Sequence, residues 1–222
     1  MKEALKNLDV NGLLKDLAKK RPLFHNERDF QFEIAQLIKE KYDCDIRLEY
    51  YYGNDTNAKR CYIDLVAMHN NYKIAFELKY RTKKFEGTVK DEKFDLKEQG
   101  ARDLGCIYIH TDLHRLEDLV NKKEFDKGYV IFLTNDEKFR DNPFKKGSMS
   151  EQFSLTKDTI KGTVKFQHEE NGKKHEETSV KNYAESYKFN GKYPIKWNEY
   201  RDPKTVDDKF KVHSLVLCVE KI

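Results

Sequence analysis

The sequence predicts an α/β fold, a mixed β-sheet flanked by helices, and three observations carry that expectation. Apolar residues recur at helical spacing through the N-terminal stretch. Apolar runs of strand length follow, separated by short turn-rich segments. Helix-like and strand-like segments then alternate, which implies crossover connections between strands of one sheet.

Taken in order, Val10, Leu13, Leu14, Leu17 and Ala18 share one helical face behind Asp9 as cap, and Pro22 interrupts the pattern. Asn26 caps a second helix running to about Tyr42, with Phe30, Ile34, Leu37 and Ile38 as its core-facing stripe and Glu27 and Gln31 inside the same arc. Asp45–Tyr51, Cys61–Met68 and Tyr72–Tyr80 read as strands of a β-meander, with Gly53-Asn54-Asp55 and Asn70-Asn71 between them. Phe94–Leu104 reads as a helix, Cys106–His110 as a strand, Leu113–Val120 as a short helix and Gly128–Thr134 as a strand. Beyond Asn135 the chain turns polar, with Asn171-Gly172 and Asn190-Gly191 as hairpin signals before a last strand at Val212–Val219.

The expected organisation is an N-terminal helix over 1–22, a core over 23–139, and a β-rich accessory region over 140–222 that includes the final strand. Tyr187, Tyr193 and Trp197 in that region are expected to contribute to substrate choice.

With 43 Lys and Arg against 39 Asp and Glu, the net charge of +4 makes any phosphate-binding face a matter of uneven distribution. The four cysteines, Cys44, Cys61, Cys106 and Cys218, form no C-x-x-C pair and read as reduced thiols of a cytoplasmic protein. The N-terminus lacks the apolar stretch of a secretion signal, and no run approaches the ~20 apolar residues that span a bilayer, so no membrane partner is expected. The seven histidines show no zinc-ligand spacing, and no nucleotide-binding glycine loop or serine-hydrolase elbow occurs.

The string [DE]-x-K occurs six times, which means little in a chain that is 37% charged. Only Glu77 lies in an apolar strand, IAFELKY, where alternation projects Glu77 and Lys79 from one face and Ile74, Phe76 and Leu78 from the other. Twelve residues intervene between it and Asp64, the centre of the strand YIDLVA, where an acid is costly to bury without a partner. Neighbouring strands would set Asp64 beside Glu77, and two close carboxylates call for a cation such as Mg²⁺ between them. A structural ion pair with Lys79 would account for one acid and leave the second uncompensated.

YIDLVA followed by IAFELKY resembles the signature of the PD-(D/E)xK nuclease superfamily, over roughly residues 24–134, with Ile63 where the motif's name has proline. The resemblance implies a restriction-endonuclease-like core. It implies that Asp64 and Glu77 bind the metal, that Leu78 lends its carbonyl, and that Lys79 serves the attacking water and the phosphate. It further implies that Glu27 is an extra ligand or partner of the site and that Gln99, on the helix after the catalytic strand, faces the metal. Arg81, Lys83 and Lys84, just past that strand, are placed to hold flanking phosphates.

The expected function is a Mg²⁺-dependent endonuclease of the restriction or defence type, with Mn²⁺ as substitute, DNA as partner and a homodimer as its expected assembly. A structure-specific repair or junction nuclease would use the same centre. A silent nuclease-like binding module is the reading of a different class.

Overall fold

The computed structural model describes residues 2–54, 60–165, 168–170, 173–175, 186–200 and 211–222. Its first helices begin where capping chemistry puts them. The Asp9 carboxylate accepts the Gly12 N–H at 3.0 Å to start α1 (Val10–Lys20), and the Asn26 side chain accepts the Asp29 N–H at 3.0 Å to start α2 (Glu27–Lys41). Three antiparallel strands follow: β1 (Asp45–Asn54), β2 (Arg60–His69) and β3 (Tyr72–Arg81). Gly53 and Asn54 belong to β1 rather than to a turn, and Asp55 lies outside the described residues.

The chain next departs from expectation. Phe94 and Leu96 are buried in a hairpin, β4 (Phe85–Val89) and β5 (Glu92–Leu96), and not in a helix. Its two-residue turn is Lys90-Asp91, with φ of 49° and 65°. Such turns normally advertise themselves through Asn and Gly, and here neither is present.

Helix α3 (Arg102–Asn121) then runs unbroken through Cys106–His110, expected as a strand, and Leu113–Val120, expected as a separate helix. Cys106, Ile107, Ile109 and His110 are all buried, because the helix is covered both by the sheet and by the C-terminal hairpin. A helix buried over so wide an arc loses its amphipathic signature, and its β-branched isoleucines then mimic strand alternation. Gly105 admits a close neighbour: a Cβ there would lie 2.9 Å from the Phe139 ring.

β6 (Lys127–Thr134) lies parallel to β3. β7 (Thr159–Lys165) pairs antiparallel with β8 (Ser186–Pro194), and β9 (Trp197–Glu199) with β10 (His213–Glu220). Asn190-Gly191 is not a hairpin turn but an irregularity inside β8, where the register shifts between Phe189 and Lys192. Asn171-Gly172 lies outside the described residues, although His168–Glu170 and Lys173–His175 on either side pair antiparallel.

The central sheet is mixed and six-stranded, in the order β9-β10-β6-β3-β2-β1. One face packs against α1, α2 and the β4–β5 hairpin through Leu65, Phe76, Leu78, Ile131 and Leu133. The other packs against α3 and the β7–β8 hairpin through Ala75, Val130, Phe132 and Leu217. The aromatic residues expected to read substrate are committed to this second core. Tyr193 is buried, Trp197 donates its indole N–H to the Leu155 carbonyl at 3.0 Å and packs edge-on against Phe132, and Tyr187 stacks on His114. Among the described residues no helix is long and apolar enough to cross a membrane.

Candidate active site

The site forms where two strands of the meander come apart. The β2–β3 ladder runs from His69–Tyr72 to Leu65–Phe76, and Asp64 with Glu77 would be its next pair. Instead, the β2–β3 pairing stops at Leu65–Phe76 while β1 and β2 stay paired through Tyr50–Ile63 and Tyr51–Tyr62. Glu49 of β1 takes a positive φ of 48°, and Ile63, with its cross-strand partner Tyr50, packs on the α3 side although Leu65, two residues on, faces the other way.

The parting leaves a row of β3 amides without strand partners, and side chains take them over. Asp64 Oδ2 accepts the Leu78 N–H at 2.7 Å, and Glu27 Oε2 accepts the Tyr80 N–H at 2.8 Å. Gln99 Oε1 faces the Thr82 N–H at 3.4 Å, while Thr82 in return accepts the Gln99 N–H at 2.8 Å. The Asp64 carbonyl is held by Gln31 Nε2 at 2.6 Å. Three residues named from the sequence therefore stand side by side along one strand edge. Gln99 reaches it from the connection ahead of α3 and not from a helix.

On the α3 side of β3, Glu77 and Lys79 project together as alternation requires. Lys79 Nζ lies 3.0 Å from the Leu78 carbonyl oxygen, 3.0 Å from Asp112 and 3.6 Å from Asp64. Glu77, only 1% exposed, has its Oε1 at 2.8 Å from Arg115. Arg115 also contacts Asp112 Oδ1 at 2.5 Å. Four carboxylates, from Glu27, Asp64, Glu77 and Asp112, thus face two cations, a formal excess of two negative charges.

Protonation follows from that crowding. Burial, aided by Asp112 and Asp64, pushes the Glu77 carboxyl well above the usual range against the pull of Arg115 and Lys79. Burial likewise raises Glu27, against Lys79 and the Tyr80 amide. Burial alone would lower Lys79, but Asp112, Asp64, Glu77 and Glu27 together outweigh it and hold the ammonium charged.

Asp112 and Arg115 went unnoticed in the sequence because the α3 segment reads there as a strand followed by a short helix. Once a single helix is drawn, the spacing Asp112-x-x-Arg115 beside the buried Leu113 and Leu116 sets two opposite charges on its sheet-facing side.

A cleft of about 650 Å³ opens beside these groups, lined by Glu27, Arg28, Lys79, Arg81, Gln99 and Tyr108 among others. Arg81 is tied by its guanidinium to the Gly100 carbonyl at 2.5 Å, bracing the connection that carries Gln99. Lys83 and Lys84 are exposed past the strand end and do not line the cleft.

The donor set suits a hard divalent cation. Asp64 and Glu77 supply carboxylates beside the Leu78 carbonyl, and both Glu77 Oε1 and Asp112 Oδ2 are buried without an aligned hydrogen bond. Among the described residues no three His, Cys, Asp or Glu side chains converge on one point, so the arrangement offers two acids and a carbonyl rather than a cage of acids. Glu27, engaged on the Tyr80 amide, stands as a neighbour of that set. No family model, curated protein or solved structure matches the chain.

Proposed function

We propose that this chain is a Mg²⁺-dependent endonuclease that hydrolyses phosphodiester bonds in DNA. The observation that carries the reading is the convergence of Asp64, Glu77 and Lys79 where β2 and β3 part. Parted strands, rather than a closed ladder, give a catalytic group access to a bulky polyanion. The order α2, β1, β2, β3, α3, β6, with β6 parallel to β3, supports a restriction-endonuclease-like core.

In this reading Asp64, Glu77 and the Leu78 carbonyl would hold the Mg²⁺, which would supply Lewis-acid stabilisation and a water of lowered pKa. Lys79 would orient an attacking water and offer positive charge to the phosphoryl oxygens as charge develops on them. Asp112 fixes the ammonium from the far side, and Arg115 compensates both Asp112 and Glu77. Arg28, at the cleft wall, is placed to hold a flanking phosphate.

The test is incubation of the purified chain with plasmid, linear duplex, branched DNA, single-stranded DNA and RNA, with Mg²⁺, Mn²⁺, Ca²⁺ or EDTA. Cutting is expected with Mg²⁺ and Mn²⁺ and not with Ca²⁺ or EDTA, and it should disappear in Asp64→Asn and Lys79→Ala. Undiminished cutting in EDTA, or by Asp64→Asn, would remove the proposed centre. A restriction-type enzyme cuts linear duplex at defined sequences, whereas preference for branched DNA would mark a junction nuclease.

A further inference from the structure

The described residues expose five large hydrophobic side chains. Apart from the C-terminal Ile222 they are Phe32 (51% exposed), Leu48 (42%), Tyr51 (51%) and Tyr62 (39%). All four lie on α2 and the β1–β2 pair, the elements that carry Glu27 and Asp64. Tyr62 precedes Asp64 by two residues. Tyr51 is its cross-strand partner, with ring centroids 5.7 Å apart. Their strand neighbours Tyr50, Tyr52 and Ile63 pack on the α3 side, so alternation puts Tyr51 and Tyr62 on the face that α2 covers farther along. That helix closes on the strands through Gln31, which bonds Glu49 at 3.1 Å and the Asp64 carbonyl at 2.6 Å. The tyrosine pair stands just past this closure, at the edge of the catalytic groups.

Glu49 and Asp64 flank the pair on the side of the proposed centre, and arginines lie on the same elements. Arg60 is exposed on β2 two residues before Tyr62, hence on the same face, and Arg28 lines the cleft one turn ahead of Phe32 on α2.

We propose that Tyr51 and Tyr62 form a stacking platform for unpaired bases, so that the strand led to the Asp64–Glu77 centre is single-stranded nucleic acid. An exposed aromatic pair offers π-faces that bases can stack on, and Arg60 beside it can take an intervening phosphate. A duplex hides its base faces in its own stack and would leave such a platform unused.

The inference rests on the nucleic-acid reading of the site, and it is tested by binding in EDTA, where no cleavage is required. The probes are a single-stranded oligodeoxynucleotide carrying a fluorescent purine analogue and its blunt duplex, measured by anisotropy and by quenching of the analogue. The single strand should bind more tightly and be quenched. Tyr51→Ala and Tyr62→Ala should each weaken it by about five-fold or more, while Tyr51→Phe and Tyr62→Phe keep both binding and quenching, because stacking does not need the hydroxyl. Equal binding of strand and duplex without quenching, or parent-like binding by the double alanine variant, would overturn the platform. So would a parent dimer in sedimentation that the double alanine variant converts to monomer, since the face would then be a self-interface. Quenched, tyrosine-dependent binding without cutting in Mg²⁺ would sink the nuclease reading alone. Duplex cutting indifferent to both tyrosines would sink the platform alone.

Discussion

Glu77→Gln separates the cost of a buried carboxylate from its use. The substitution keeps the side-chain shape and removes a charge held at 1% exposure. At an effective dielectric of about 20, unit charges ~4 Å apart interact by ~4 kcal/mol, so the attraction of Arg115 at 2.8 Å, with that of Lys79, is of the same order as the repulsion from Asp112 and Asp64. What remains is desolvation of the carboxylate, several kcal/mol for a buried ion, which is why the group keeps its proton above the ordinary value of 4.5. The folded chain therefore holds a proton that the unfolded chain has released. The stability this contributes is complete below about pH 4.5 and is lost as pH rises through the folded pKa, at ~1.4 kcal/mol per pH unit. Glutamine has no such loss. Urea unfolding of both proteins in EDTA, from about pH 4 to 9, should show the variant gaining on the parent along that slope and then levelling once the folded pKa is passed. Cutting in Mg²⁺ should vanish in the same variant. A stability difference that stays flat with pH, or a parent that gains on the variant, would refute the account of Glu77 as an electrostatically disfavoured carboxylate.

Two further expectations concern α3. Glu117, buried, accepts the Asn190 and Gly191 N–H groups at 3.1 and 2.7 Å and the Tyr193 hydroxyl at 2.6 Å, pinning the irregularity in β8. Glu117→Ala strands all three donors and should cost about 3–5 kcal/mol. Glu117→Gln keeps an oxygen where every one of these bonds reaches Oε1 and should cost about 1–2 kcal/mol; equal costs in chemical denaturation would contradict the count. His110, fully buried, is pushed down from 6.5 to about 4 by burial, against its bond to the Cys106 carbonyl. Its contribution to stability is complete above pH 6.5 and is lost as pH falls toward 4, up to ~3 kcal/mol; an imidazole NMR signal titrating near 6.5 in the folded chain would exclude it.

The strand that carries Glu77 and Lys79 was legible because its physics is local. In IAFELKY Ile74, Phe76 and Leu78 share one face, and Glu77 and Lys79 fall on the other, the α3 side, as alternation demands. Both helix caps were equally local, since Asp9 and Asn26 act on amides three residues ahead. Helix α3 was legible only in part, at Leu113–Val120 and at its first residues. Its Cys106–His110 segment is enclosed on two sides, and a helix with no exposed face offers no period to detect. That misreading hid Asp112 and Arg115, which are sited by the continuity of one long helix. Gln99 was picked out for the wrong reason: it borders the cleft through a loop bond to Thr82 and not by facing inward from a helix.

The sequence by itself determined the central strands, the first two helices and the identity of the three residues at the proposed centre, because alternation, capping and an acid in an apolar strand are properties of neighbouring residues. Only the tertiary structure decided that β2 and β3 part at Asp64, that Glu27 and Gln99 inherit the abandoned amides, and that Arg115 and Asp112 balance the charge. It also decided which aromatic residues face solvent, since Tyr193 and Trp197 enter the core while Tyr51 and Tyr62 stay exposed on the strand pair that carries Asp64. The physical reason is distance along the chain. Amides left unpaired by a twist in one strand must be satisfied by whatever the fold brings near, and no window of sequence contains both partners.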